Sequence, residues 1–258
     1  MHGEEIITEK QAGTGFVTLN RPEAKNTFTV PLAEKLDSAL KSFDDDPEVR
    51  VIVIRGAGKH FSTGIALDEF TDKTHLEYTR FLSRMNRCYH TIPNMKKLVI
   101  GSVQGYAVAN GAGLAFACDL TIAAEEAKFG TTAVTVGLIC LGPAVPMMRI
   151  IGRKKTLEMV LTGEIITAEE AARLGLINRV VPGEKLEEET AALAGRIAQK
   201  SPLALEIGKR GIYAFHDMEY HKSVDYSTEL FASLAATEDA EEGVDAFLNK
   251  RSPKWKEK

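Results

Sequence analysis

Two glycine-bearing segments are where this chain could do chemistry with its backbone. One is Phe61-Ser62-Thr63-Gly64-Ile65, shortly after the β-branched run Val51-Ile52-Val53-Ile54-Arg55; the other is Gly105-Tyr106-Ala107-Val108-Ala109-Asn110-Gly111-Ala112-Gly113. Glycine lets the backbone turn tightly and lets a ligand approach it closely, and a helix N-terminus offers unpaired N–H donors at the positive end of a dipole. Two such turns meeting in space would hold the oxygen of an activated carbonyl. Taken singly, each is equally well explained as a tight strand-to-helix connection. The second has neither the three-glycine spacing of a dinucleotide fingerprint nor the Lys-Ser/Thr that ends a Walker loop.

The elements that must position these turns read as an α/β chain. Gly13-Thr14-Gly15 followed by Phe16-Val17-Thr18-Leu19 is a hairpin signal, and Asn20-Arg21-Pro22 stops the strand. Val30, Ala33, Leu36, Leu40 and Phe43 recur at three- and four-residue intervals, which predicts a helix ended by Asp44-Asp45-Asp46-Pro47. The run 49–56 is too short for a helix and predicts a buried strand. The order then repeats, with strands at 98–102 and 120–123 around a helix at 111–118. Helices follow at 145–151 and 154–162, and Thr167 with Glu170 has capping-box spacing. Gly175 closes that helix, and 177–181 reads as a last strand. Beyond Leu186 only helical periodicity remains, at 191–199, 204–215 and 226–234. No low-complexity linker sets this tail apart, and no repeat of 20 to 50 residues marks a solenoid.

Composition narrows the classes of function. A chain of 258 residues buries about three quarters of its unfolded surface and needs no disulfide or metal to hold it. Hydrophobic residues make up 44% and charged residues 26%, which excludes a disordered chain. The 32 basic and 36 acidic residues leave a net charge of −4, so no general attraction to nucleic acid or anionic lipid is expected. No apolar run reaches the ~18 residues of a membrane span, and the start lacks a signal-peptide pattern. A cytoplasmic protein is expected. Cys88, Cys118 and Cys140 are odd in number and show no C-x-x-C spacing, so neither a disulfide framework nor a metal site is indicated.

In this order the segments closely resemble the crotonase superfamily, also called the enoyl-CoA hydratase/isomerase superfamily. The matching stretches run from Val17-Thr18-Leu19-Asn20-Arg21-Pro22 with Asn26, through the two glycine turns, to Ala117-Cys118-Asp119-Leu120 and Ala127-Lys128-Phe129-Gly130. They continue with Leu161-Thr162-Gly163, Ala168-Glu169-Glu170-Ala171, Gly175-Leu176-Ile177-Asn178 and the terminal Glu242-Gly243-Val244-Asp245-Ala246-Phe247. The resemblance covers almost the whole chain. It implies an α/β spiral of ββα units over 1–190 and a C-terminal helical region, 191–258, that serves trimer assembly, as a homotrimer or a dimer of trimers. It also implies an acyl-CoA thioester as substrate, with no metal and no further cofactor. Its thioester oxygen would lie between the backbone N–H groups of Ile65 and of Asn110, with Gly111 the neighbouring candidate for the second. Ala24, Lys25, Ser62 and Ala66 are the implied acyl-CoA contacts.

Departures from the family pattern bear most on the reaction. Hydratases of the family carry one glutamate at the position of Gly113 and a second at that of Ala133, and neither residue here can transfer a proton. Each such group typically supplies about 10² to 10⁴ in rate, so efficient two-glutamate hydration is not expected. Asp68 and Glu69, after the first turn, are the replacement carboxylates closest in sequence. Cys140 lies where some members place an aspartate. His75, Tyr78 and His90 fall in or beside a stretch, 71–90, that resembles the variable part lining the acyl pocket. Asp119 reads as a structural aspartate. Three functions stay open: lyase or isomerase chemistry through a thioester enolate, non-catalytic acyl-CoA binding, and thioester hydrolysis or decarboxylation.

Overall fold

The β-branched run becomes a central strand because both of its faces are covered. In the computed structural model, which describes residues 4–258, Ile52 and Ile54 face one apolar core and Val51 and Val53 the other, all essentially inaccessible to water. A strand buried on both sides reads as a continuous apolar run, as here. The elements in order are β1 (Ile6–Gln11), β2 (Thr14–Leu19), α1 (Val30–Asp45), β3 (Val51–Gly56), α2 (His75–Met85), α3 (Arg87–Asn94), β4 (Leu98–Val103), β5 (Tyr106–Val108) and α4 (Asn110–Ala117). There follow β6 (Leu120–Ala124), β7 (Lys128–Gly130), α5 (Leu141–Thr162), β8 (Ile165–Thr167), α6 (Ala168–Arg173), β9 (Arg179–Val181), α7 (Leu186–Ala198), α8 (Pro202–Phe215), α9 (Tyr220–Ala235) and α10 (Glu238–Leu248).

Six strands form one sheet in the order β1-β2-β3-β4-β6-β9, parallel except for the β1–β2 hairpin, and β5-β7-β8 form a second. From β4 to β7 successive strands alternate between the sheets, which makes β4-β5-α4 and β6-β7-α5 two ββα units of the expected spiral. Isolated bridges between Phe28 and Ile65 and between Ser62 and Ala107 extend the smaller sheet toward the first glycine turn.

Most helices form where periodicity places them. Thr29 caps α1 by accepting a hydrogen bond from Leu32 N, and Leu32, Ala33, Leu36, Leu40 and Phe43 are its buried face. Gly152, with φ 72° and ψ 173°, breaks α5 between the two expected helices. The Thr167–Glu170 box is half made: Thr167 accepts from Glu170 N, without the return bond. The variable stretch 71–90 holds α2 and the first half of α3, and the box that does close is Thr74 with Glu77 at the start of α2. Helix α10 has no counterpart in the sequence reading. Position 190 falls inside α7, whose Leu186, Leu193, Ala194 and Ile197 pack on the large sheet.

The C-terminal helices are tied to the sheet by one buried ion pair. Asp119 accepts hydrogen bonds from Val99 N (2.7 Å), Lys209 Nζ (2.8 Å) and Tyr213 Oη (2.9 Å), and Lys209 also donates to the Lys97 carbonyl (2.9 Å). Burial pushes the Asp119 carboxyl up from its usual range, opposed chiefly by the charge of Lys209. Asp119 is thus a structural residue, as expected. Further along, Phe231, Phe247 and Leu248 are 73%, 83% and 72% exposed and line an apolar groove of about 770 Å³ with Leu234 and Trp255. None of the candidate site residues lines it. Among the described residues no helix is long and apolar enough to cross a membrane.

Candidate active site

The register of the smaller sheet decides where the two glycine turns meet. Ser62 bridges Ala107 in parallel, through Ser62 N to the Tyr106 carbonyl (3.1 Å) and Val108 N to the Ser62 carbonyl (3.0 Å). Ile65 lies three residues beyond Ser62, in the bridge to Phe28, and Asn110 three beyond Ala107, where it opens α4. On the far side of the first strand the Gly64 carbonyl accepts from Phe28 N (2.7 Å) and Ala66 N donates to the Phe28 carbonyl (3.0 Å). Backbone groups alternate along a strand, which turns the Ile65 N–H toward the Asn110 side. Ala109 N donates to the Gly130 carbonyl (2.8 Å) on the opposite flank. Among the described residues, no backbone hydrogen bond starts from the Ile65 or the Asn110 amide.

Two glycines and one strained alanine create this approach. A Cβ on Gly64 (φ 94°) would meet Ala109 Cβ at 2.7 Å and Asn110 N at 3.5 Å. A Cβ on Gly111 would lie 2.2 Å from the Ser62 carbonyl oxygen. Ala109, at φ 49° and ψ −123°, holds a conformation rare outside glycine, at a cost of about 1–3 kcal/mol. The strain sits at the residue that aims the Asn110 amide.

A buried asparagine fixes the first turn against the loop that carries the implied acyl-CoA contacts. Asn26 Nδ2 donates to the Ala57 (2.9 Å) and His60 (2.8 Å) carbonyls, and its Oδ1 accepts from Arg21 N (2.8 Å). Ser62 Oγ donates to the Asn26 carbonyl (2.8 Å), and Thr63 N donates to the Lys25 carbonyl (3.2 Å). Ala24 and Lys25 are thereby drawn beside Ser62 and Ala66. Ser62 is fully buried, whereas Ala24, Lys25 and Ala66 retain access to solvent.

The acid–base end of the site looks different. Asp68 is exposed and Glu69 half-buried on a single 3-10 turn; His75 and His90 are exposed, and Tyr78 stacks on Phe70. Cys140 is buried at the start of α5, and burial pushes its thiol up, with the Ala133 backbone amide pulling the other way. Gly113 and Ala133 leave no carboxylate at either family position. In their neighbourhood stands a residue absent from the sequence reading, Tyr89 of α3. Its hydroxyl oxygen is buried without a hydrogen-bond partner, as are Asn110 Nδ2 and Thr131 Oγ1. The one signal available was the spacing Met85, Cys88, Tyr89, Ile92, which puts Tyr89 on the inward stripe of its helix.

Comparison with known proteins gives the family and the fold. The family model described as "Enoyl-CoA hydratase/isomerase" matches residues 9–258. A probable enoyl-CoA hydratase from Rhizobium meliloti is 35% identical over 257 residues, covering 99% of each chain. A putative enoyl-CoA hydratase from Thermus thermophilus is 37% identical over 254 residues, covering 97% of this chain and 100% of the relative. Among solved structures, an enoyl-CoA hydratase from Mycobacterium smegmatis superposes with a TM-score of 0.94 at 32% identity over 98% of this chain and 99% of that one. Human enoyl coenzyme A hydratase domain-containing protein 3 does so with a TM-score of 0.93 at 32% identity, over 98% and 100%. The strand-alternating spiral and the full-length match agree: the chain belongs to the enoyl-CoA hydratase/isomerase family.

Proposed function

We propose that the protein binds acyl-CoA thioesters and stabilises a thioester enolate for lyase or isomerase chemistry, with the thioester oxygen between the amides of Ile65 and Asn110. The observation that carries this reading is the pair of unbonded N–H groups where the first glycine turn approaches the start of α4, a Cβ on Gly64 lying 3.5 Å from Asn110 N. Preorganised donors aimed at a developing oxyanion in a dry site are typically worth about 2.7–4 kcal/mol each. Gly111, whose neighbour supplies the donor, serves by the closeness of its backbone to Ser62. Ala24, Lys25 and Ala66 then line the CoA side of the cleft, while the fully buried Ser62 holds the first turn against their loop. No metal and no cofactor besides the CoA of the substrate enters the chemistry.

A second reading, acyl-CoA binding without turnover, is favoured by one observation: positions 113 and 133 carry no ionisable group, and Asp68 stands in solvent. Copies of this chain are the proposed cover for the exposed Phe231, Phe247 and Leu248, in a trimer or a dimer of trimers, because exposed apolar patches of this kind mark interfaces.

The experiment is a crotonyl-CoA hydration assay beside calorimetric titration with butyryl-CoA. Binding with hydration slowed by about 10² to 10⁴ for each missing glutamate is expected. A kcat/KM near about 10⁷ M⁻¹s⁻¹, close to the diffusional ceiling, would show that another acid–base pair does the work. Binding with no turnover of any acyl-CoA selects the second reading.

A further inference from the structure

One rung in the pairing of the two glycine turns is made by a side chain. Parallel strands bond through evenly spaced backbone groups, and here Ser62 N donates to the Tyr106 carbonyl (3.1 Å) while Val108 N donates to the Ser62 carbonyl (3.0 Å). Continued backwards, that pattern would give the Tyr106 N–H the carbonyl of His60. The His60 carbonyl instead accepts from Asn26 Nδ2 (2.8 Å), and Tyr106 N donates to the His60 ring nitrogen Nδ1 (3.2 Å). The pairing then slips by one residue, with Phe61 N donating to the Gln104 carbonyl (2.9 Å).

Gly105 admits the ring. It has φ 56°, and a Cβ there would lie 2.7 Å from His60 Nδ1 and 2.1 Å from the Lys59 carbonyl oxygen. The imidazole also packs on the Tyr106 ring of β5, with centroids 5.2 Å apart. Nδ1 accepts only while the ring is neutral, because both nitrogens of an imidazolium carry protons. Burial, with Lys59 beside it in the chain and Lys25 of the loop tied to Thr63, holds the imidazole below its ordinary value. Both of those charged groups are cations, and Tyr106 is the titratable group that touches the ring from β5.

We propose that His60 is a positioning residue for the oxyanion pair: as a side-chain rung next to the Ser62–Ala107 bridge, it fixes how closely the turn of Gly64 and Ile65 approaches Asn110. Two donors that must meet one oxygen tolerate little displacement. Protonation sets the Tyr106 N–H against a second N–H, and the rung is lost. Because the folded protein favours the neutral ring, the rung is complete above the ordinary histidine range and disappears as pH falls through the lowered value. This rests on the oxyanion reading above and adds a pH dependence to it.

The test is calorimetric titration of the full chain with butyryl-CoA and with its thioether S-butyl-CoA, which lacks the carbonyl oxygen, as pH is lowered from about 8 to about 5 across the histidine range. Both ligands carry the same CoA phosphates, so the ratio of their affinities reports recognition of the carbonyl. In the native protein the ratio should fall about fivefold to tenfold over this span. His60→Asn, whose Oδ1 can stand in for Nδ1 and does not titrate, should keep the ratio high and constant; His60→Leu, without an acceptor, should keep it low at every pH. A native ratio that favours the thioester and does not change with pH overturns the proposal even where a variant fails to fold. So does a His60→Asn protein that keeps the pH dependence, or a His60→Leu protein with the native ratio. Equal affinities for the two ligands at about pH 8, where the ring is neutral, remove the oxyanion reading itself and the proposal with it.

Discussion

Two of the buried polar clusters in this protein are finished differently. Around Asp119 the carboxylate has three donors, and Lys209 spends its ammonium on that carboxylate and on a carbonyl. At the first turn of α4 the Tyr89, Asn110 and Thr131 side chains have no partner, and the Ile65 and Asn110 amides donate to no described residue. An unmade hydrogen bond on a buried group costs about 1–3 kcal/mol, so the second cluster stores free energy that the first does not.

The comparison breaks first at Asp119. Asp119→Asn or Lys209→Met leaves one partner of a buried ion pair uncompensated, and should lower the unfolding free energy by about 3–5 kcal/mol in urea titration. Butyryl-CoA affinity of the folded protein should hold, because the pair touches none of the candidate site residues in its hydrogen bonding. A loss below about 1 kcal/mol, the worth of an ordinary exposed pair, would deny Asp119 its structural role.

Gly113→Ala sharpens the other half. In an ordinary helix interior alanine stabilises by about 1 kcal/mol relative to glycine, whereas here its Cβ would press on Tyr89 Oη and the Pro143 backbone. Overpacking of this kind costs about 1–3 kcal/mol, so a lowered Tm is expected. A raised Tm would show that the slot is loose and that Tyr89 is not held in it. The same contact explains why restoring glutamate at 113 alone would not rebuild a hydratase: the space is taken.

Much of this was legible in the sequence, for identifiable reasons. The β-branched run of β3, the periodic face of α1 and the half-formed cap at Thr167 are local patterns, and they sit where the residues put them. Ile65 and Asn110 are named by the family resemblance of the two glycine turns, and the same resemblance marks positions 113 and 133 as lacking the expected carboxylates. Helices α2 and α3 were obscured because 71–90 was read by its likeness to a variable stretch, although Thr74 and Glu77 carry the box that starts α2. Tyr89 could not be found from sequence, since its slot needs residues 89, 113 and 142 from three helices. Whether a buried hydroxyl has a partner depends on tertiary contacts alone.

The central claim is that the Ile65 and Asn110 amides hold one thioester oxygen. A crystal structure with bound butyryl-CoA tests it most directly. The account predicts the thioester oxygen about 2.7–3.2 Å from both nitrogens. A thioester bound elsewhere, or the two amides more than about 6 Å apart and each bonded within the protein, beyond any hydrogen-bond reach, would contradict it.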